Sequence, residues 1–183
     1  MTIILDSISG DDALHVLRNL CAADAEMRAR ILSEAEKVLS HVDRDDVADE
    51  VFFDLDELSV EDLWERSGPH RHGYSSLDEV AVEMIEETLR PYDGKVKQYE
   101  TIGMPEQATL FCMGVLKGIY RYGQEPQSEF KEQAPDVPQN CFAGILRDWR
   151  KHCTRKQDIQ EMNLFISREC PKWAKNAVQN EIA

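Results

Sequence analysis

Several catalytic and membrane signatures are absent from this sequence. It contains no GxSxG, no Walker A motif and no HExxH, which mark nucleophile elbows, phosphate-binding loops and zinc proteases. No apolar run approaches the roughly 18 residues needed to span a bilayer. The stretch Ile3, Ile4 and Leu5 is also too short, and lacks the basic flank, for a secretory signal. The sequence therefore predicts no membrane span and offers none of these three catalytic motifs.

The five cysteines are odd in number and widely spaced, and no two form a CxxC pair. This spacing indicates neither a disulfide framework nor a thiolate zinc site. Free thiols in a reducing cytoplasm are the simplest interpretation. Cys153 follows His152 directly, but adjacent residues of a helix point about 100° apart and do not form a nucleophile–base pair. The cysteines are Cys21, Cys112, Cys141, Cys153 and Cys170.

What the chain does contain is acidic charge, concentrated in its first half. Of its 183 residues, 42% are hydrophobic and 31% are charged, as is typical of a soluble globular protein. Residues 1–100 contain 25 acidic and 10 basic residues, whereas residues 101–183 contain 10 and 11. An acidic body repels a phosphate backbone, so general nucleic-acid binding is disfavoured and solubility is the simplest role of the charge.

Apolar residues recur every three to four positions along most of the chain, as in Met27, Ile31, Ala35 and Val38. No segment shows the sustained alternation of an amphipathic strand. Because the connections are short, sequential helices are expected to be antiparallel neighbours. Helices are predicted near 2–8, 11–22, 25–41, 45–57, 60–67, 77–90, 92–102, 105–122, 137–153 and 156–169, with further ones near 128–133 and 172–182.

The predicted fold class is all-α, an α-α superhelix or irregular multi-helix bundle of about ten antiparallel helices. We expect a single all-helical domain over residues 1–183, with acidic helices at 1–67 and core and C-terminal helices at 76–183 as sub-units. Ser59 with Asp62, and Ser76 with Glu79, have the spacing of capping boxes. A helix break is expected at Pro91, because the residue before proline avoids the α region.

Residues 108–122 form the most apolar predicted helix, which we expect at the centre of the core. Gly114 and Gly118 lie one turn apart in it, and each costs about 1 kcal/mol relative to alanine. That cost indicates a neighbouring backbone packed closely against both glycines.

The most distinctive candidate site is the loop after Gly68. Residues 69–73 read PHRHG, but two histidines bind zinc only if further ligands converge, and no CxxC or HxxxH lies nearby. A solvated or helix-capping loop is one alternative. The other is a partner-binding loop, since arginine and aromatic residues are enriched at binding hot spots. On that hypothesis, the partner-binding residues are Trp64, Arg66, His70, Arg71, His72 and Tyr74.

Other charged clusters favour different activities. Glu83 and Glu86 form an ExxE pair similar to that of all-helical nucleotide pyrophosphatases, which hold Mg²⁺ on acidic helices. The following helices offer only Asp93, Glu100 and Glu106 in place of a second acidic pair. A solvated acidic face is the alternative for these carboxylates.

Two charge runs remain. The basic stretch RDWRKHCTRK at 147–156 is suited to nucleic-acid contact, to pairing with the acidic half, or to stabilising the end of its own helix. The acidic run at 43–62 lacks the glycine and spacing of a calcium loop. It is either a solvated face or a surface for a basic partner.

Five stretches together resemble the helical region of prokaryotic proteins that carry a SWIM-type zinc finger. They read SGDDALHVLRNLCAADAEMRARI, DEVFFDLDELSVEDLWERSG, HGYSSLDEVAVEMIEETLRP, LFCMGVLKGIYRY and SEFKEQAPDVP. The likeness covers roughly 9–150 and is most specific at 54–74. SWIM fingers use CxC followed by CxH, and neither is present here, so no zinc ligand is carried over. The resemblance implies a helical module that serves as an interaction platform.

The leading hypothesis is therefore a non-enzymatic protein–protein interaction or scaffold module in the cytoplasm. It assigns no catalytic, metal-ligating or cofactor-binding residue and requires no cofactor. Two alternatives remain: a Mg²⁺-dependent hydrolase of nucleotides or phosphoesters using Glu83 and Glu86, and a nucleic-acid accessory protein using 147–156. The sequence does not determine the partner or the oligomeric state.

Overall fold

The computed structural model describes residues 7–70, 73–125 and 129–174. These residues form an all-α multi-helix bundle with one small two-stranded sheet, which confirms the predicted fold class. The chain divides into two compact units, Met1–His41 and Val42–Ala183. Among the described helices, none has an apolar stretch long enough to cross a bilayer.

The elements follow one another in this order along the described chain. The helices are α1 (Gly10–Ala23), α2 (Ala25–Ser40), α3 (Arg44–Asp56), α4 (Val60–Arg66), α5 (Leu77–Thr101), α6 (Pro105–Gln124), α7 (Glu129–Gln133), α8 (Val137–His152) and α9 (Lys156–Glu169). The strands β1 (Gly68–His70) and β2 (Gly73–Ser75) lie between α4 and α5. The predicted helices near 2–8 and 172–182 fall largely outside the described residues.

The first unit is a helical hairpin. The Ser9 hydroxyl caps α1 by accepting from the Asp12 amide. Asp24 both ends α1 and caps α2, where its side chain accepts from the amides of Glu26 and Met27. Because this single residue joins two packed helices, they run antiparallel. No residue of either helix is buried, so the hairpin has no core of its own.

The second unit is organised around α6. Eleven of its residues are buried, including Cys112, Leu116 and Ile119, which confirms that this helix lies at the centre of the core. The helix packs against α3, α5 and α8. A helix that contacts neighbours on several sides has little surface left for polar residues, which explains its apolar circumference.

The two helical glycines lie where α3 crosses α6. A Cβ added to Gly114 would stand 2.7 Å from Val47 Cβ and 2.8 Å from the Arg44 carbonyl oxygen. At Gly118 the corresponding distances are 2.6 Å to Val51 Cβ and 2.7 Å to the Ala48 carbonyl oxygen. The expected close approach of a neighbouring backbone is therefore confirmed.

The break expected at Pro91 is wrong, because α5 is one helix through this position. A proline inside a helix costs about 3 kcal/mol. Here Leu89 and Tyr92 are buried on either side of it, and burying one large side chain contributes about 1.5–3 kcal/mol. The Tyr92 hydroxyl also donates to Asp54 at 2.5 Å. Tertiary contacts therefore outweigh the local preference of proline.

The segment after α4 is also not the irregular loop expected from the sequence. β1 and β2 pair antiparallel, with Gly68 opposite Ser75, Pro69 opposite Tyr74 and His70 opposite Gly73. Gly68 has a φ of +99°, a backbone conformation that residues other than glycine rarely adopt. Strands of three residues are too short to show an alternating pattern, so periodicity did not predict them.

The two predicted capping boxes differ in their hydrogen bonds. Ser76 and Glu79 form the complete reciprocal pair at the start of α5. At α4, the Ser59 hydroxyl accepts from the Asp62 amide, but it also donates to the Asp62 carboxylate at 2.8 Å. The shorter side chain of Asp62 therefore accepts from the Ser59 hydroxyl, whereas the longer side chain of Glu79 reaches the Ser76 backbone amide.

We expect Gly118→Ala to lower the free energy of unfolding by about 1–3 kcal/mol, because the added methyl overpacks the contact with α3. Gly94→Ala is the matched control, because Gly94 is exposed within α5 and a Cβ there meets nothing within 4 Å. In this control the free energy of unfolding should rise by about 0.4–1 kcal/mol, because alanine lowers the conformational entropy of the unfolded chain. Urea denaturation measures both changes. A Gly118→Ala variant as stable as the wild type would contradict the close helix contact.

Candidate interaction surface

The predicted partner-binding loop is part of a compact segment built from α4, β1 and β2, here called the ribbon surface. Leu63 is fully buried and anchors α4, whereas the next residue, Trp64, is 59% exposed. Adjacent helical residues point in different directions, so burial of one presents the other to solvent. Tyr74, on β2, is 71% exposed. The segment therefore presents two large aromatic side chains from ordered backbone.

Arg66 ties the end of α4 to α5. Its Nη1 lies 2.9 Å from Glu87 Oε2, and both side chains are about half exposed. An exposed ion pair of this kind contributes only about 0–1 kcal/mol to stability. The contact therefore orients the guanidinium at the edge of the ribbon surface without burying it.

The remaining predicted residues of this site are only partly described. His70 occupies the last position of β1, where its backbone pairs with Gly73. Arg71 and His72 lie outside the described residues. Of the six predicted partner-binding residues, the described structure thus places the side chains of Trp64, Arg66 and Tyr74.

The carboxylates proposed for Mg²⁺ are not assembled into a site. Glu83 and Glu86 are both exposed on α5. Within residues 7–70, 73–125 and 129–174, no group of three or more His, Cys, Asp or Glu side chains is placed to hold a metal ion. Glu86 and Asp93 do line one groove between α5 and α8, and the hydrolase hypothesis stays a prediction.

Most of the basic stretch at 147–156 contacts side chains of the same chain. Lys151 Nζ donates to Asp148 Oδ1 at 2.8 Å. Arg150 Nη2 donates to Asn163 Oδ1, also at 2.8 Å. Arg155 Nη2 lies 3.0 Å from Glu106 Oε1. These three partners lie at 101–183 and not in the acidic half at 1–100, so the expected pairing with that half is not what these residues form.

The acidic run also has partners, mainly on α6. Asp45 Oδ1 lies 2.8 Å from Lys117 Nζ, and Asp49 pairs with Arg121. The hydrogen bond from Lys117 lowers the pKa of Asp45 below its ordinary value. These carboxylates therefore serve the packing of α3 on α6.

Sequence reasoning missed a groove between α5 and α8. It has a volume of about 500 Å³ and includes Arg90, Asp93, Arg147 and Asp148 in its lining. Cys141 also faces it, and burial raises the pKa of this thiol to about 11. A thiol with that pKa is protonated at neutral pH and is a poor nucleophile. No local pattern connects the two helices, so only their packing reveals the groove.

Asp158 was also missed, because an acid in the first turn of a helix is ordinary in sequence. It is 3% exposed, and burial raises the pKa of its carboxyl. Its Oδ2 lies 3.4 Å from Arg155 Nε, too far for a good hydrogen bond. The residue borders a cavity of about 330 Å³ that also touches Glu100 and His152. Arg155, whose side chain is 37% exposed, compensates part of the charge of the Asp158 carboxylate.

No family model, no curated protein and no solved structure matches this chain. The resemblance to the helical region of SWIM-type zinc-finger proteins therefore stays a prediction.

Replacing both His70 and His72 with alanine should leave metal content and the circular dichroism spectrum unchanged, because no CxxC or HxxxH lies near them in the sequence to complete a ligand set. Elemental analysis of the purified protein after exposure to Zn²⁺ measures the first quantity. A stoichiometric metal present in the wild type and lost in the variant would establish the zinc site that the sequence spacing disfavours.

Proposed function

We propose that this protein is a non-enzymatic protein–protein interaction module and that the ribbon surface is its contact with a partner. The observation that carries the proposal is the exposure of Trp64 and Tyr74 on ordered backbone, at 59% and 71%. Large aromatic residues are usually well buried or, when exposed, concentrated at binding hot spots. Residues 54–74 are also the most specific part of the resemblance to the helical region of SWIM-type zinc-finger proteins, which implies an interaction platform.

The energetics of these side chains suit a contact. Trp and Tyr each bury roughly 150–250 Å² when covered, and apolar burial contributes about 25 cal/mol per Å². Even the exposed fractions of both rings therefore correspond to several kcal/mol when a partner covers them. Arg66 adds a planar charged group of the type enriched beside such aromatics.

Contacts within the chain also fix the ribbon surface in the absence of a partner. Leu63 fixes α4 in the core, the Arg66–Glu87 pair joins the end of α4 to α5, and the strands pair through residues 68–70 and 73–75. A surface fixed in this way loses little conformational entropy on binding. The ribbon surface therefore offers apolar area on elements that are anchored by Leu63 and by strand pairing.

The test compares Trp64→Ala and Tyr74→Ala with wild type in co-purification from the native host, followed by titration with each recovered partner in purified form. Truncating a hot-spot aromatic typically costs 2 kcal/mol or more, so we expect the Kd to rise about 30-fold or further. Unchanged circular dichroism would show that the fold is kept.

Leu164→Ala is the matched control, because Leu164 is 57% exposed on α9, away from the ribbon surface. It should bind the same partners with unchanged Kd. Partners retained equally by Trp64→Ala, Tyr74→Ala and Leu164→Ala would contradict the proposed contact.

A further inference from the structure

The hairpin of α1 and α2 carries an apolar groove that nothing in its own unit covers. Leu17 is 42% exposed and Val38 is 75% exposed. The groove is lined mainly by Leu17, Met27, Ile31, Ala35, Val38 and Leu39. These positions follow the spacing of a bundle-forming helix face, so the surface is one continuous stripe.

A hairpin of this size does not stabilise itself. Its two helices contain 14 and 16 residues, and neither has a buried residue. Chains below about 40 residues cannot bury enough surface to fold without a metal, disulfides or association. The hairpin needs an apolar surface to pack against.

We propose that this groove is a homodimer interface, in which two copies of the hairpin pack about a two-fold axis as an antiparallel four-helix bundle. Arg30 and Glu34, one helical turn apart, are the charged residues at the groove. In an antiparallel α2–α2 contact centred at residue 32, Arg30 of each copy faces Glu34 of the other. The apolar stripe from Met27 to Val38 is centred within one residue of the same point, so charge pairing and apolar packing share one register.

The distribution of net charge along the chain also favours contact between two copies through the hairpin. Residues 10–41 contain 6 acidic and 4 basic residues, for a net charge of −2. Residues 42–183 contain 28 and 17, for a net charge of −11. Two copies approaching through the rest of the chain repel one another, whereas two hairpins approach with little net repulsion. This interface is independent of the ribbon surface, so either proposal stands if the other fails.

Sedimentation equilibrium of the full chain tests the proposal. We expect the wild type to dimerise and Leu17→Asp to raise the dimer Kd at least 100-fold, because two carboxylates would be buried in the apolar groove. Val16→Asp is the matched control, since Val16 is 47% exposed beside Leu17 on α1 but does not line the groove. It should leave the Kd unchanged.

A charge exchange tests the register and does not depend on the apolar variant folding. Arg30→Glu and Glu34→Arg should each raise the dimer Kd about tenfold, because each replaces two cross-copy attractions with repulsions. The double variant re-creates both attractions and should restore the Kd. Variants at Glu34 also lose the exposed Glu34–Lys37 ion pair within α2. Circular dichroism therefore checks that the helix content of these variants is unchanged.

Three outcomes would overturn the proposal. One is a wild type that stays monomeric at all concentrations. The groove would then be covered by another part of the same chain or by a different protein. Another is Val16→Asp weakening the dimer as much as Leu17→Asp. The third is a double charge exchange that binds no better than the single variants, which would exclude the antiparallel register.

Discussion

The second unit depends on the close contact between α3 and α6 at Gly114 and Gly118. Because neither glycine carries a Cβ, the Val47 and Val51 side chains of α3 lie in the space that one would occupy. That approach makes α6 a helix with contacts on several sides, and α5 and α8 pack against it as well. Each glycine lowers the stability of the helix itself by about 1 kcal/mol relative to alanine. The close packing of α3 on α6 that the glycines permit more than offsets this cost.

The same contact explains the dense acidic run. Asp45 and Asp49 lie where α3 meets the basic residues Lys117 and Arg121 of α6. Charges at the rim of a helix interface select a register more than they add stability. Two carboxylates of a run that the sequence leaves as a solvated face or a partner surface thus pair with basic residues of the same chain. The basic stretch at 147–156 follows the same principle, because several of its members bond to neighbours in the chain.

The two features proposed for function are surfaces rather than reactive groups. The cysteines with shifted pKa are all shifted upward by burial, which leaves them protonated at neutral pH. Trp64 and Tyr74, by contrast, are held in the open by a buried anchor and a paired ribbon. The apolar stripe of the hairpin is the other surface of this kind. Both suit association, in which apolar area and rigidity matter more than chemistry.

By itself, the sequence determined the features that arise within a few residues of one another: helical periodicity, the cap at Ser76 and Glu79, and the small residues at Gly114 and Gly118. Only the tertiary structure decided the continuity of α5 through Pro91, the pairing of β1 with β2, the groove between α5 and α8 and the burial of Asp158. Each of these depends on segments distant in sequence or too short to carry a period. Helix propensities and caps act over one or two turns, whereas burial depends on which elements meet, and no local pattern encodes that.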